Sequence, residues 1–166
     1  MIPKEQQEYK FRLAKLKDFN EAFELVKRAV NTKFNMHRAG LSLILQKMPS
    51  NLGAYHILGS NVIVMNKLIL NLIKEYKSSD EFNSYLFMVL AHEYLHSFGI
   101  VDEFQVRNMT YDLCISLFGK GHLTSKMAKE DPSSLFPELN LLRQYAFGTN
   151  FEIIDNFDMT NQYYIQ

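Results

Sequence analysis

Residues 85–103 read YLFMVLAHEYLHSFGIVDE, and this stretch decides how the rest of the chain is interpreted. Seven consecutive apolar residues, 85–91, lead into a polar His-Glu-Tyr-Leu-His sequence with no proline or glycine between them. A helix that is apolar around its whole circumference lies in the middle of a protein. Ser79 or Asp80 would begin this helix, and Gly99 would end it, because glycine commonly follows a helix C-terminus. The stretch therefore predicts a central, buried helix that runs to about Phe98.

The polar part of this helix has the spacing of a metal site. His92 and His96 are four residues apart, so both imidazoles lie on one helix face and can reach a single ion. Zinc binds imidazole nitrogen and keeps one open position in catalytic sites. Glu93 could take a proton from a water activated by the metal and return it to a leaving amine. Because three polar groups are costly to bury without partners, the motif predicts a zinc site with Glu93 as the catalytic base.

A third protein ligand is needed, and two adjacent carboxylates compete for it. Asp102 stands where metzincins, in the pattern HExxHxxGxxD, take their last ligand, whereas Glu103 would open a second helix as in gluzincins. Asp102 and Gln105 have the spacing of a capping box, and an N-cap aspartate uses its carboxylate on backbone N–H groups. Capping therefore favours Glu103 as the ligand. The Asp102 alternative also requires a methionine turn, for which Met127 is a weak candidate.

Composition excludes several classes of protein. The chain has 166 residues, and 18 Lys and Arg balance 18 Asp and Glu to a formal net charge of zero. This balance argues against nucleic acid or a membrane surface as a partner, since both attract a basic excess. The lone Cys114 excludes an internal disulfide and an all-cysteine zinc site. No apolar run approaches a membrane span, and the first ten residues show no signal region. We therefore expect one cytoplasmic domain over residues 1–166.

The remaining segments predict an α+β fold, with a small, mostly antiparallel sheet beside stacked helices. The predicted elements before the central helix are an edge strand at 8–16, a helix at 19–30, a strand at 41–45, a hairpin of 54–58 with 62–65, and a helix at 67–76 capped by Asn66. A further helix would run from Asp102 to about Leu117. Either hairpin strand could be the sheet edge along which a peptide aligns by main-chain hydrogen bonds.

Two runs, LGAYHILGSNVIVMN at 52–66 and AHEYLHSFGIVDEFQVR at 91–107, resemble the small archaeal zinc peptidases called minigluzincins. The resemblance covers about residues 41–117. It implies a minimal zincin fold, in which a small twisted sheet has an edge strand lining the cleft, beside an active-site helix and a following glutamate helix. It also implies that His92, His96 and Glu103 bind zinc, that Glu93 is the catalytic base, and that the substrate is a peptide or protein.

Residues 123–166 form a C-terminal extension that minigluzincins lack in this length, and its role is open. After Arg143 the chain has acidic residues but no lysine or arginine. It also carries six aromatic residues, namely Tyr145, Phe147, Phe151, Phe157, Tyr163 and Tyr164. We favour a core role through a last strand at 151–154. The alternative is a latency segment that blocks the cleft, as the C-terminal segment of latent minigluzincins does.

The sequence thus predicts a zinc-dependent peptidase that hydrolyses peptide bonds with a metal-activated water. A non-catalytic or latent regulatory or interaction protein with a structural metal is the alternative, because HExxH specifies an ion and a water but not access to substrate. Candidates for stabilising the oxyanion of the reaction are Tyr55, His56, Tyr111 and His122. Arg107 and Asp112 could orient metal ligands through their charged groups.

Overall fold

A four-stranded mixed sheet and six α-helices make up the fold in the computed structural model, which describes residues 2–130, 135–142 and 147–159. The helices are α1 (Lys4–Ala14), α2 (Phe19–Phe34), α3 (Lys67–Tyr76), α4 (Ser79–His96), α5 (Glu103–Phe118) and α6 (Leu123–Lys129), with a short 3₁₀ helix at Pro137–Leu142. The strands are β1 (Ser42–Gln46), β2 (Ala54–His56), β3 (Val62–Asn66) and β4 (Phe151–Ile153). The predicted α+β class is therefore confirmed. None of the described helices has the length and apolar character needed to cross a membrane.

The sheet has the strand order β2-β3-β1-β4, which leaves β2 and β4 at its two edges. β2 and β3 are antiparallel, with Tyr55 opposite Val64, so the predicted hairpin is confirmed. β1 runs parallel to β3 and antiparallel to β4. Since β3 lies inside the sheet, only β2 of the two hairpin strands can offer a free edge.

Helix α4 is the predicted central helix. It begins with a capping box, in which the Ser78 hydroxyl accepts from the Glu81 N–H at 3.1 Å and the Glu81 carboxylate accepts from the Ser78 N–H at 3.3 Å. Its side chains from Asn83 to Ala91 are all buried. Gly99 then adopts φ +90°, a conformation that other residues rarely take, and this turns the chain back toward α5.

The prediction of a strand at 8–16 is wrong, because residues 8–14 belong to helix α1. Its buried residues are Tyr9 and Leu13, which are four apart and share one helix face, whereas Phe11 between them is 65% exposed. The apparent alternation of Tyr9, Phe11 and Leu13 is therefore one helical stripe with an exposed phenylalanine beside it.

Residues 147–159 of the C-terminal extension are fastened to the core at the sheet edge opposite β2. The strand predicted at 151–154 is present as β4, although its side chains are exposed. Phe157 is buried and stacks on Phe23 at a centroid distance of 4.3 Å. The Asp158 carboxylate accepts hydrogen bonds from Lys27 Nζ and from the N–H groups of Gly40 and Leu41. Phe147 and Phe151 are exposed, while Tyr145, Tyr163 and Tyr164 lie outside the described residues.

Candidate metal centre

Three side chains meet at the C-terminal end of α4. The Nε2 atoms of His92 and His96 lie 2.8 Å from Oε1 and Oε2 of Glu103, respectively, so one carboxylate spans both imidazoles. The candidate ligand atoms all lie within 4.8 Å of one another. Both histidine side chains are about 15% exposed, and Glu103 is 64% exposed on the solvent side. The three residues predicted as metal ligands are therefore brought together.

The backbone between α4 and α5 selects Glu103 over Asp102 for this place. Asp102 is the N-cap of α5, and its carboxylate accepts from the N–H groups of Phe104 at 2.9 Å and Gln105 at 3.3 Å. These bonds satisfy donors that would otherwise be unpaired at the helix start. The predicted capping role of Asp102 is thus confirmed, and Glu103 in the first turn is left to face the histidines.

The hydrogen bond of His96 Nδ1 determines which tautomer the His96 ring adopts beside Glu103. His96 Nδ1 lies 2.7 Å from the carbonyl oxygen of Ile100, which can only accept, so Nδ1 must carry the proton. In the neutral ring Nε2 is then a lone-pair acceptor, and it faces a carboxylate oxygen at 2.8 Å. Two acceptors at this distance need a positive charge between or beside them, either a proton or a cation.

The donor set fits a zinc ion. Zinc takes imidazole nitrogen and carboxylate oxygen at about 2.0–2.1 Å, and ligands of a tetrahedral site are then roughly 3.3 Å apart. The observed nitrogen–oxygen distances of 2.8 Å are slightly shorter. Glu103, being exposed, can move outward to make up this difference. Burial also lowers the pKa of His92, which favours the neutral, metal-binding form of its ring.

Glu93 lies beside this group but is not part of it. Its side chain is buried, with 6% of the residue exposed, and this burial raises the pKa of the Glu93 carboxyl to about 7. Glu93 lines the cavities on both sides of the three candidate ligands. A carboxyl group that titrates near neutrality at such a position has the properties of a general base.

Two cavities flank the candidate ligands and form one groove between β2 and α4. They have volumes of about 370 and 360 Å³ and share Leu52, Ala54, Glu93 and Glu103 as lining residues. We call the first the α6 cavity, because Met127 and Ala128 of helix α6 close one of its sides. The second is the hairpin cavity, whose further lining residues are Tyr55, His56, Leu58, His96 and Val101.

Arg38 connects the two walls of this groove. Its guanidinium donates to the carbonyl of Ser97, at the end of α4, and to the Asn61 side chain in the β2–β3 turn. A longer bond of 3.4 Å reaches the carbonyl of Ser60. The hydroxyl of the buried Tyr94 fixes the backbone of Arg38. It accepts a hydrogen bond from the Arg38 N–H at 2.8 Å and donates one to the Arg38 carbonyl at 2.9 Å. These bonds fix the spacing between the hairpin and the helix, a role that the sequence analysis did not assign.

The four candidates for oxyanion stabilisation divide into two pairs. Tyr55 and His56 line the hairpin cavity, where the Tyr55 hydroxyl donates to Gln46 and His56 Nε2 bonds to Ser60 O. His122 instead caps α6 by accepting from the Thr124 N–H at 3.2 Å. Neither His122 nor Tyr111 lines either cavity. Only Tyr55 and His56 therefore remain near the candidate centre.

The residues considered as charged partners of the ligands do not take that role. No ion pair within the described part of the chain joins Arg107 to Glu103, although Arg107 lines the α6 cavity. Asp112 is exposed, and the carbonyl of Ile100 holds the second nitrogen of His96 instead.

Two sulfur-containing residues are placed by the helices after the candidate centre. Met127 lies inside helix α6 and not in a turn below the candidate ligands. Cys114 is a free, buried cysteine on α5.

Comparison of the chain with protein-family models, with curated proteins and with solved structures finds no match. The chemistry of the site is therefore the basis for inferring a function.

Proposed function

We propose that this chain is a zinc-dependent peptidase with a minimal zincin fold. The observation that carries the proposal is the convergence of His92, His96 and Glu103 beside a buried Glu93. This group lies at the midpoint of a groove that continues on both sides of it. A binding groove centred on a metal-ligand set is the arrangement that hydrolysis of an extended substrate requires.

His92, His96 and Glu103 would hold the ion. Bound zinc would supply a Lewis acid that polarises the scissile carbonyl and makes water more acidic. Glu93 takes the proton of the attacking water and returns it to the leaving amine. Its burial supports this role, because a carboxylate withdrawn from solvent is more basic than an exposed one. The Ile100 carbonyl keeps the His96 ring oriented and in the tautomer that presents Nε2.

The free edge of β2 would align the substrate. Within the described residues β2 is bonded to β3 along one side only, and its other side borders the groove. An extended peptide can add to such an edge through main-chain hydrogen bonds, which suit any sequence. Side chains on either side of the scissile bond would then enter the α6 and hairpin cavities.

The test combines metal analysis with cleavage of a mixed peptide library by the full chain. We expect one zinc per chain and cleavage by the wild type. Glu93→Gln should keep its zinc and lose about 10²–10⁴-fold in rate, because it cannot accept the proton. Glu75→Gln, which neutralises an exposed glutamate on α3, is the matched control and should behave like the wild type.

Each contrary outcome has a definite meaning. Purified protein without stoichiometric zinc would contradict the proposal outright. Stoichiometric zinc without cleavage of any library peptide would instead favour the alternative, a regulatory or interaction protein with a structural metal.

A further inference from the structure

The α6 cavity runs along helix α4, away from the candidate metal centre. Its lining residues on this helix are Tyr85, Met88, Val89 and His92, which occupy positions i, i+3, i+4 and i+7 and so follow one helix face. His92 lies seven positions after Tyr85, which places the two Cα atoms about 10.5 Å apart along the helix axis. The cavity is therefore deep enough for a long side chain whose backbone lies at the centre.

A tyrosine hydroxyl reaches this cavity beside Gly53. Tyr85 is 1% exposed, and a Cβ added to Gly53 would come within 2.9 Å of its hydroxyl oxygen. Since Gly53 and Tyr85 both line the cavity, the hydroxyl end of the ring faces it. Burial raises the pKa of Tyr85, so the group is a neutral donor and acceptor.

No side-chain hydrogen bond within the described part of the chain involves this hydroxyl. It is not among the fully enclosed atoms without a partner, so it is open to the cavity. A group that covered it without bonding to it would leave it unsatisfied, at a cost of about 1–3 kcal/mol. The aromatic neighbour of Tyr85 is Phe136, which offers no acceptor atom. The hydroxyl is thus available to a group that enters the cavity.

The rest of the cavity surface combines apolar walls with polar and charged groups, and the polar groups contribute the larger share of it. Leu52, Met88, Val89 and Met127 supply apolar walls. Arg107 and Glu130, which also line the cavity, are exposed residues. A volume of about 370 Å³ is larger than an aliphatic side chain needs. The shape and polarity together suit a large aromatic side chain that ends in a hydroxyl.

We propose that the α6 cavity is the specificity pocket of the proposed peptidase and selects a substrate tyrosine next to the scissile bond, through a hydrogen bond between its hydroxyl and that of Tyr85. This inference rests on the proposed function. Discrimination against phenylalanine follows, because a phenylalanine ring would fill the same space and leave the Tyr85 hydroxyl unpaired.

The test uses two peptides that differ by one hydroxyl. Both consist of alanine and glycine, apart from a single tyrosine in one and a single phenylalanine at the same place in the other. Binding of each peptide is measured on zinc-loaded Glu93→Gln protein, which should not cleave it. Cleavage is measured on protein that keeps Glu93. We expect the tyrosine peptide to bind about tenfold more tightly and to be cleaved about tenfold faster.

Tyr85→Phe should reduce both preferences to less than about twofold, with zinc content and melting temperature unchanged. Tyr76→Phe, which removes the hydroxyl of an exposed tyrosine at the end of α3, is the matched control and should keep the preference. Equal handling of the two peptides by the wild type, or an unchanged preference in Tyr85→Phe, would overturn the inference and leave the peptidase proposal standing. Absence of zinc, or zinc without any cleavage, would overturn both.

Discussion

At the scale of single residues, the neighbouring acids Asp102 and Glu103 have different roles, and the residue at which helix α5 begins decides which acid has which role. Asp102 faces the backbone N–H groups of the first turn of α5, while Glu103 faces the two histidines. A shift of the helix start by one residue would exchange these tasks. The N-cap therefore controls which carboxylate can act as a metal ligand.

This division predicts opposite results for two alanine variants. Glu103→Ala should lower zinc affinity severely, because one of three protein ligands is lost. Asp102→Ala should keep zinc binding and lose about 1 kcal/mol of unfolding free energy, the usual cost of a lost cap. Zinc titration against a chromophoric chelator and urea unfolding measure the two effects. Zinc lost from Asp102→Ala but kept by Glu103→Ala would assign the third ligand to Asp102.

At the scale of elements, the groove depends on how β2 and α4 are held beside each other. Arg38 bonds to the end of α4 through Ser97 and to the β2–β3 turn through Ser60 and Asn61. No backbone ladder joins the helix to this strand, so these side-chain bonds add a polar restraint to the packing between them. A two-stranded hairpin is only marginally stable without such support.

Arg38→Ala should therefore loosen the hairpin relative to the helix. We expect a loss of about 2 kcal/mol of unfolding free energy, typical of hydrogen bonds from a charged group. Amide exchange should accelerate for Ile57 and Ser60, whose N–H groups bond within the hairpin. Arg12→Ala, which removes an exposed pair with Glu8 on α1, should cost under about 1 kcal/mol. Unchanged amide exchange at Ile57 in Arg38→Ala would show that the Arg38 hydrogen bonds are not needed to hold the hairpin.

The elements that could be predicted are those whose signals are local. The HExxH spacing, the cap at Asp102 and the hairpin around Gly59 each depend on a few adjacent residues. Helix α1 is wrongly predicted as a strand because the exposed Phe11, between Tyr9 and Leu13, gives an apolar residue at every second position. Helix α6 was not predicted, because seven residues are too few for periodicity and its N-cap is His122, an unusual capping residue.

The groove itself could not be predicted from sequence. The lining of the α6 cavity brings together Leu52, Tyr85 and Met127, which are separated by more than thirty residues along the chain. The sequence identifies Tyr85 only as part of an apolar run. Pockets of this kind arise from tertiary packing, which short sequence patterns do not reveal. The contacts of Arg38 could not be predicted for the same reason.

At the scale of the whole molecule, the C-terminal extension has a structural role in its described part. Phe157 stacks on Phe23, and Asp158 bonds to Lys27 and to two backbone N–H groups beside β1. A chain that ends at Arg143 should therefore be destabilised or insoluble, since loss of a buried phenylalanine alone costs about 3–5 kcal/mol. A chain that ends at Met159 keeps these contacts and should melt cooperatively.

Thermal melting and peptidase activity of the two truncated chains separate the two roles considered for the extension. A folded, zinc-loaded chain ending at Arg143 with raised activity would favour the blocking role and contradict the core role. Raised activity only in the chain ending at Met159 would assign blocking to residues 160–166.

The same anchor affects the order in which the molecule can be completed during synthesis. Lys27 and Asp158 are 131 residues apart, so at 5–20 residues per second a ribosome needs between about 7 and 26 s to deliver the partner. Lys27 is already placed by α2, where Glu24, three residues earlier, lies 2.9 Å from its ammonium group. We expect this local pair to offset the lysine charge while the nascent chain is unfinished. The contact between Asp158 and Lys27 can form only at the end of synthesis. By then, His92, His96 and Glu103 have long been available to come together.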